Sequence, residues 1–246
     1  MAKCLWLCGR IADSDEDVVP EWLRKHLGVK GTPPGRKYAI KNINVPGLEP
    51  EVLKRERPRN AFHVKAYKAV CQPCNNKWMS GLQAGAMDLL KPMIDGAKAT
   101  LTPSERGAIG AWAAMTGITL EHAHRVTVDP SRRQYMKTHR SPPPHTLVYL
   151  THLAPVELDC IVGNSRADTK QDHRTVMYHE LFTARELGLL IFQGVFGPRQ
   201  IAQLSKYGNY LVPVWPVITL TTAYWPPTKT LTIEEHVIVA YNIITA

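Results

Sequence analysis

VCQPCNNKWM, residues 70–79, decides how this chain is read, together with CLWLCGR at residues 4–10. Cys71 and Cys74 make a CxxC pair. Cys4 and Cys8 make a second pair with three residues between them. Two close pairs far apart in sequence suit a single tetrahedral Zn²⁺ site, in which each pair forms a knuckle and folding brings the knuckles together. Such a staple ties the first residues to a distant segment. A small cross-linked module builds little hydrophobic core of its own, so metal binding becomes part of its folding free energy. The competing readings are four unrelated buried thiols, or disulfides. Against disulfides, no signal peptide opens the sequence and Cys160 stands without a neighbour. Free thiolates suit a reducing cytoplasm.

The 246 residues form one large domain or two small ones, and a 44% hydrophobic fraction suffices for a sizeable core. No apolar run approaches the roughly 20 residues that span a bilayer, so a membrane partner is not expected. The formal charge is +9, and residues 1–80 hold 15 Lys and Arg against 8 Asp and Glu, a surplus of 7. The charge is therefore concentrated in the cysteine-bearing segment. That asymmetry favours a polyanionic partner, nucleic acid first, with a solvated basic surface as the plain alternative. Lys54, Arg55, Arg57 and Arg59 are its densest cluster.

In IADSDEDVVPEWLRKHLGVKG, Val19, Trp22, Leu23 and Leu27 recur at helical spacing, with acids before them and Gly28 after, which predicts a short helix with acids at its positive end. Residues 30–60, rich in Pro, Gly and basic side chains, read as a long loop or partly ordered arm. NAFHVKAYKAVC reads as a strand leading into the second knuckle. NNKWMSGLQAGAMDLLKPM reads as a helix ended by Pro92. Thr102, Pro103 and Glu105 form a capping box with proline at the first helical position, followed by an apolar face of Ile109, Trp112, Ala113 and Leu120. From residue 126 onward, HTLVYLTHL, LDCIVG, RTVMYHELF, LGLLIFQGVFG and YLVPVWPVITL predict an antiparallel sheet. TIEEHVIVAYNII reads as a closing helix or a last strand.

The order of CxxxC, SDEDVVPEWL, VCQPCNNKWMSGL and LTPSERGAIGAWAAMTG resembles phage and actinobacterial proteins of the HNH endonuclease-like family. WPVITLTTAYWPPTKTL looks like their C-terminal region. In that family the first motif runs Glu-His-hydrophobic-x-Pro-x-Trp-Leu and the second Cys-x-x-Cys-Asn-x-x-Trp-Met. The resemblance implies a zinc-stapled ββα-metal module holding one divalent ion, Mg²⁺ or Mn²⁺, against a DNA phosphate. There the ion neutralises charge developing on the phosphate and a base activates water. Carried over residue by residue, Glu16 and Asn75 match the ion's ligands, and Asp17 stands where the family has its base histidine.

Asp17 is the departure. Histidine titrates near neutrality, whereas an ordinary aspartate, with a pKa of about 3.9, is a weak base at pH 7. Asp17 can instead be read as a metal ligand with Asp15 and Glu16, or all three as acids at a helix start. Asn75 can be read as bonding local backbone. His63 lies on the strand before the second knuckle, and His122 and His124 read as helix-end or surface residues. Trp215, Pro216, Tyr224, Trp225, Pro226 and Pro227 read as packing at a sheet end, or as a stacking surface for a base.

The expected fold is α+β: a zinc-bound HNH-like module over 1–92, a helical connector over 93–125 and a β-rich domain over 126–246. The expected function is metal-dependent DNA endonuclease, slow or impaired because Asp17 replaces the histidine. The alternative is a catalytically inactive phage protein that uses the scaffold to bind nucleic acid, or a host or phage protein, in the cytoplasm of a bacterial host.

Overall fold

The segment that precedes the second knuckle pairs with a strand near the start of the chain, and this pairing organises the N-terminal half. The computed structural model describes residues 2–28, 35–41, 51–57, 65–123, 129–154, 160–168, 176–217 and 221–245. Over 35–41, 51–57, 160–168, 176–178, 181 and 244–245 it describes backbone alone. Strand β1 (Ser14–Asp17) runs antiparallel to β4 (Lys65–Val70), with Ser14 opposite Val70 and Asp17 opposite Lys65. After β4 come a short turn α2 (Gln72–Cys74), one π-helical turn over Asn75–Met79, and helix α3 (Ser80–Ile94). The chain thus makes two antiparallel strands followed by a helix.

The helix expected after the acidic run exists as α1 (Glu21–His26), but Asp15, Glu16 and Asp17 lie on β1 rather than at its start. Their partner strand is distant in sequence, so no local signal reveals the pairing. Residues 30–60 also differ from expectation: β2 (Gly35–Lys41) and β3 (Glu51–Arg57) pair antiparallel in unbroken register. The prolines and Gly31 and Gly47 that suggested a loop flank these strands instead of interrupting them. Pro92 does not end α3, which runs two residues further. Met93 and Ile94 are buried there, and their burial holds the last turn.

Helix α4 (Pro103–Ala123) starts as the capping box requires. Thr102 N–H donates to Glu105 Oε2 at 2.7 Å, and Glu105 N–H donates to Thr102 Oγ1 at 3.3 Å. Its sequence is apolar on every side, so it must be enclosed. Residues 109–121 are all buried, more than the single face expected. Ahead of α4 lies β5 (Ala99–Leu101), and beyond it α5 (Pro130–His139). The β-rich half follows: β6 (Thr146–Leu153), β7 (Cys160–Asp168), β8 (Val176–Ala184), β9 (Leu187–Gln193), α6 (Pro198–Lys206), β10 (Val212–Trp215), β11 (Ala223–Trp225), β12 (Thr230–Leu231) and α7 (Ile233–Thr245). Strands in the order β10-β6-β9-β8-β7 form an antiparallel sheet, and β12 joins β6 in parallel. The fold is therefore mixed α and β with a β-rich C-terminal half.

Helix α4 covers one face of this sheet, with Trp112 edge-on to Phe182 at 5.7 Å. Helix α7 covers the other, where His236 Nδ1 and the Thr151 hydroxyl lie 2.9 Å apart. Alternation along β9 separates the faces: Leu189 and Ile191 belong to the α4 core, Leu190 and Phe192 to the α7 core. The α4 core is continuous with Trp6, Leu23, Val70, Cys71 and Met79, so the cysteine-bearing half and the sheet share buried surface. Among the described residues, no helix is long and apolar enough to cross a membrane.

A buried acidic pair links α4, α5 and the sheet. Glu121 is 0% and Glu180 1% exposed. Arg132 donates to Glu121 Oε1 at 3.0 Å and Gln193 to Glu180 Oε1 at 3.3 Å. A Cβ on Gly117 would stand 3.2 Å from the Glu180 carboxyl, so only glycine leaves that acid its full space. Burial, then the Glu121 charge, holds the Glu180 pKa well above the ordinary 4.5, against the pull of Arg132 and Gln193. A folded-state pKa that is raised gives stability present below the unfolded value and lost as pH climbs through the folded one. Thermal melts should therefore show the natural protein losing stability relative to Glu180→Gln as pH rises above 4.5. Parallel pH profiles for the two proteins would contradict this.

Candidate metal centre

The first knuckle is built from backbone turns. Cys4 N–H donates to Arg10 O at 2.9 Å and Leu7 N–H to Cys4 O at 3.0 Å. The extra residue of the CxxxC spacing is absorbed by left-handed backbone at Leu7 (φ 51°) and Gly9 (φ 81°). Leu5 N–H donates to Ala69 O at 2.7 Å, which ties this knuckle to β4. The second knuckle is the start of a helix, where the N–H groups of Cys74 and Asn75 both reach Cys71 O at 3.0 Å.

These turns bring Cys4, Cys8, Cys71 and Cys74 together, their sulfurs all within 4.8 Å of one another. All four are free thiols; Cys8 and Cys71 stand 3.4 Å apart, and Cys71 N–H donates to Cys4 Sγ at 3.3 Å. A tetrahedron with metal–sulfur bonds of about 2.3 Å has edges of about 3.8 Å, a value that falls between the 3.4 Å of the Cys8–Cys71 pair and the 4.8 Å bound on the whole set, so small adjustments close it on an ion. Burial pushes the Cys4 thiol up, and burial with the neighbouring thiols pushes Cys74 up to about 12. Cys8 is also penalised by burial, yet the Arg10 backbone and the neighbouring sulfurs bring it down to about 7. Sulfurs this close cannot all ionise without a counter-charge, which a metal cation supplies. The four cysteines are thus able to hold a metal ion.

Trp6 and Trp78 pack edge-on at 4.9 Å beside the cluster, and Trp6 Nε1 donates to Met79 Sδ at 3.1 Å. Arg140, the left-handed C-cap of α5 (φ 55°), lies over the Trp78 ring at 4.3 Å. Arg133 Nη1 donates to Leu5 O at 3.4 Å.

Glu16 on β1 faces α3, the helix that follows the second knuckle. It is 6% exposed and accepts from Gln83 Nε2 at 3.0 Å. Burial and the Asp17 charge raise its pKa to about 7, while hydrogen bonds from Gln83 and Asn75 pull the other way. Asn75 Nδ2 also donates to Ser14 Oγ at 3.0 Å and Asp15 O at 3.2 Å. Glu16 and Asn75, matched from separate motifs, therefore meet in space. Asp17 is turned to other partners: Arg24 Nη2 lies 2.8 Å from Oδ2, and Lys65 Nζ 3.2 Å from Oδ1. Asp15 accepts the Lys68 N–H at 2.7 Å.

Gln83 and Arg24 were not anticipated. Gln83 lies two helical turns after Asn75, a spacing that could have flagged it; nothing local marks Arg24 as the partner of Asp17. His122 falls in the last turn of α4 as expected. His63, His124 and Arg59 lie outside the described residues, as do the side chains of Lys54, Arg55 and Arg57. In the aromatic and proline cluster Trp225 is 2% exposed and packs against His152, whereas Tyr224 is 69% exposed beside Lys98 and Thr100. Comparison of the chain with family models, with curated proteins and with solved structures gave no match.

Proposed function

We propose that this chain is a DNA-binding protein on a zinc-stapled ββα scaffold of the HNH kind, in which phosphodiester cleavage is slow or lost. One observation carries the reading: Asn75 at the start of the following helix reaches the first strand, donating to Ser14 Oγ and to Asp15 O next to Glu16, and it directly follows Cys74 of the four clustered cysteines. Four soft thiolate donors in a closed set suit structural Zn²⁺. Glu16 and Asn75 are the groups that would hold a second ion, Mg²⁺ or Mn²⁺, which supplies charge neutralisation at a phosphate. A cation there also favours the ionised form of Glu16, which burial otherwise disfavours.

The weak part of the site is Asp17. The family's histidine position carries a carboxylate already committed to Arg24 and Lys65, so Asp17 is not poised to take a proton from water. That observation favours the alternative, a scaffold that binds without cutting. The surplus of 7 positive charges over residues 1–80 supports a polyanion as the ligand in either case.

The test is a plasmid-cleavage assay with Mg²⁺ or Mn²⁺ beside a duplex-binding assay without either ion. Binding with slow or absent cleavage is expected. Turnover at an ordinary enzymatic rate would overturn the impaired reading, and failure to bind DNA would overturn the proposal. Replacing Arg55, Arg57 and Arg59 together should weaken binding to unrelated sequences and flatten the salt slope by roughly 0.9 for each phosphate that is no longer neutralised. An unchanged slope would remove this cluster from the interface.

A further inference from the structure

We infer that the C-terminal turn of α5, with the helical turn after the second knuckle, forms a second basic face that grips the DNA phosphate backbone. The inference rests on the DNA-binding reading and places contacts outside the cluster at residues 54–59.

Three acid-free segments converge here. Residues 2–12 carry Lys3 and Arg10, residues 71–87 carry Lys77, and residues 130–145 carry Arg132, Arg133, Lys137 and Arg140; none of the three contains Asp or Glu. Contacts already described hold them together: Arg133 on Leu5 O, Arg140 over Trp78, and Trp78 against Trp6. Arg133, Lys137 and Arg140 follow the i, i+4, i+7 spacing that puts them on one stripe of α5. Arg132 is committed to buried Glu121, and Met136 is fully buried, so α5 is anchored along its inner side.

Among the described residues, Lys77, Lys137 and Arg140 have no acidic partner within ion-pair distance. Lys77 and Arg140 are exposed. Arg140 also holds left-handed backbone at a position where glycine would cost less, yet its side chain is laid flat on an indole. A guanidinium stacked on an aromatic ring is pre-ordered and keeps its N–H edge for phosphate oxygens. Lys77 follows Asn75 by two residues, a spacing that sends the two side chains to different sides of the helical turn, so this face lies apart from the side on which Asn75 meets β1.

A different role for Arg140 is counter-charge to the four thiolates, and the experiment separates the two. Full-length protein is titrated with labelled duplex DNA of two unrelated sequences, over a series of salt concentrations, with zinc content measured alongside. Lys77→Gln with Lys137→Gln leaves the Arg140–Trp78 stack untouched, and Arg140→Ala is made separately. Each variant should bind both duplexes more weakly. The double variant should flatten the salt slope by about 1.8, and Arg140→Ala by about 0.9, with zinc retained. If both variants keep the natural affinity and slope, the inference fails while the DNA-binding reading stands. If Arg140→Ala loses zinc and the double variant binds DNA normally, the face serves the metal cluster and the inference is wrong. If the natural protein binds neither duplex, the reading and the inference fall together.

Discussion

Cys71→Ser should strip the metal and take the order of the N-terminal half with it. Cys71 is 1% exposed, heads the second knuckle, and donates its N–H to the Cys4 sulfur. Serine offers no thiolate, so the closed four-sulfur set is broken. Structural zinc in small modules is worth about 10–16 kcal/mol, as much as the whole stability of a typical domain. The effect should spread, because Trp6, Val70 and Met79 share one core with α4 and the sheet. Elemental analysis of the natural protein should find about one zinc per chain, bound through sulfur. The variant should lose it, with a collapse of the near-ultraviolet dichroism of the buried tryptophans. Cys160→Ser, on β7 away from both knuckles in sequence, should keep the metal. A well-folded, metal-free natural protein, purified without chelator, would refute the zinc assignment.

Asp17→His should raise cleavage, and this is the largest catalytic effect expected. A positioned general base is worth roughly 10²–10⁴ in rate. Asp17 sits between Arg24 and Lys65, so its charge is spent on two cations. An imidazole beside those cations would have its pKa pressed down, which keeps it in the neutral, proton-accepting form at pH 7. Arg24 then loses its partner in a half-buried position, so Arg24→Gln added to Asp17→His should protect the fold and keep the gain. Glu16→Ala in the same background should abolish it, because Glu16 is the carboxylate that meets Asn75. Nicking of supercoiled plasmid with Mn²⁺ reads all four proteins. If the natural protein already cuts at an ordinary rate and Asp17→His slows it, Asp17 is a competent base or an ion ligand, and the description of a disarmed site is wrong.

Much of the fold is written in short-range signals. Thr102 and Glu105 marked the start of α4 because a capping box is satisfied within one turn. The same arrangement of Thr232 with Glu235 starts α7, where the apolar pattern alone left helix and strand open. The β-branched and aromatic runs from residue 146 located the sheet strands, and cysteine spacing alone brought four distant sulfurs into one proposed site. Helix α5 escaped notice although Asp129 and Pro130 open it, because Met136 is its one fully buried residue and no apolar stripe marks it. The tertiary structure decided what the acids do. Asp15, Glu16 and Asp17 look alike in sequence, but pairing of Ser14 with Val70 places them on a strand. There Glu16 is buried against Gln83 and Asn75, Asp15 takes a backbone N–H, and Asp17 finds Arg24 and Lys65. Propensity and capping act over a few residues and can be read along the chain. The burial and partners of a carboxylate depend on segments that meet only after folding, and they alone separate a buried acid held by amides from half of an ion pair.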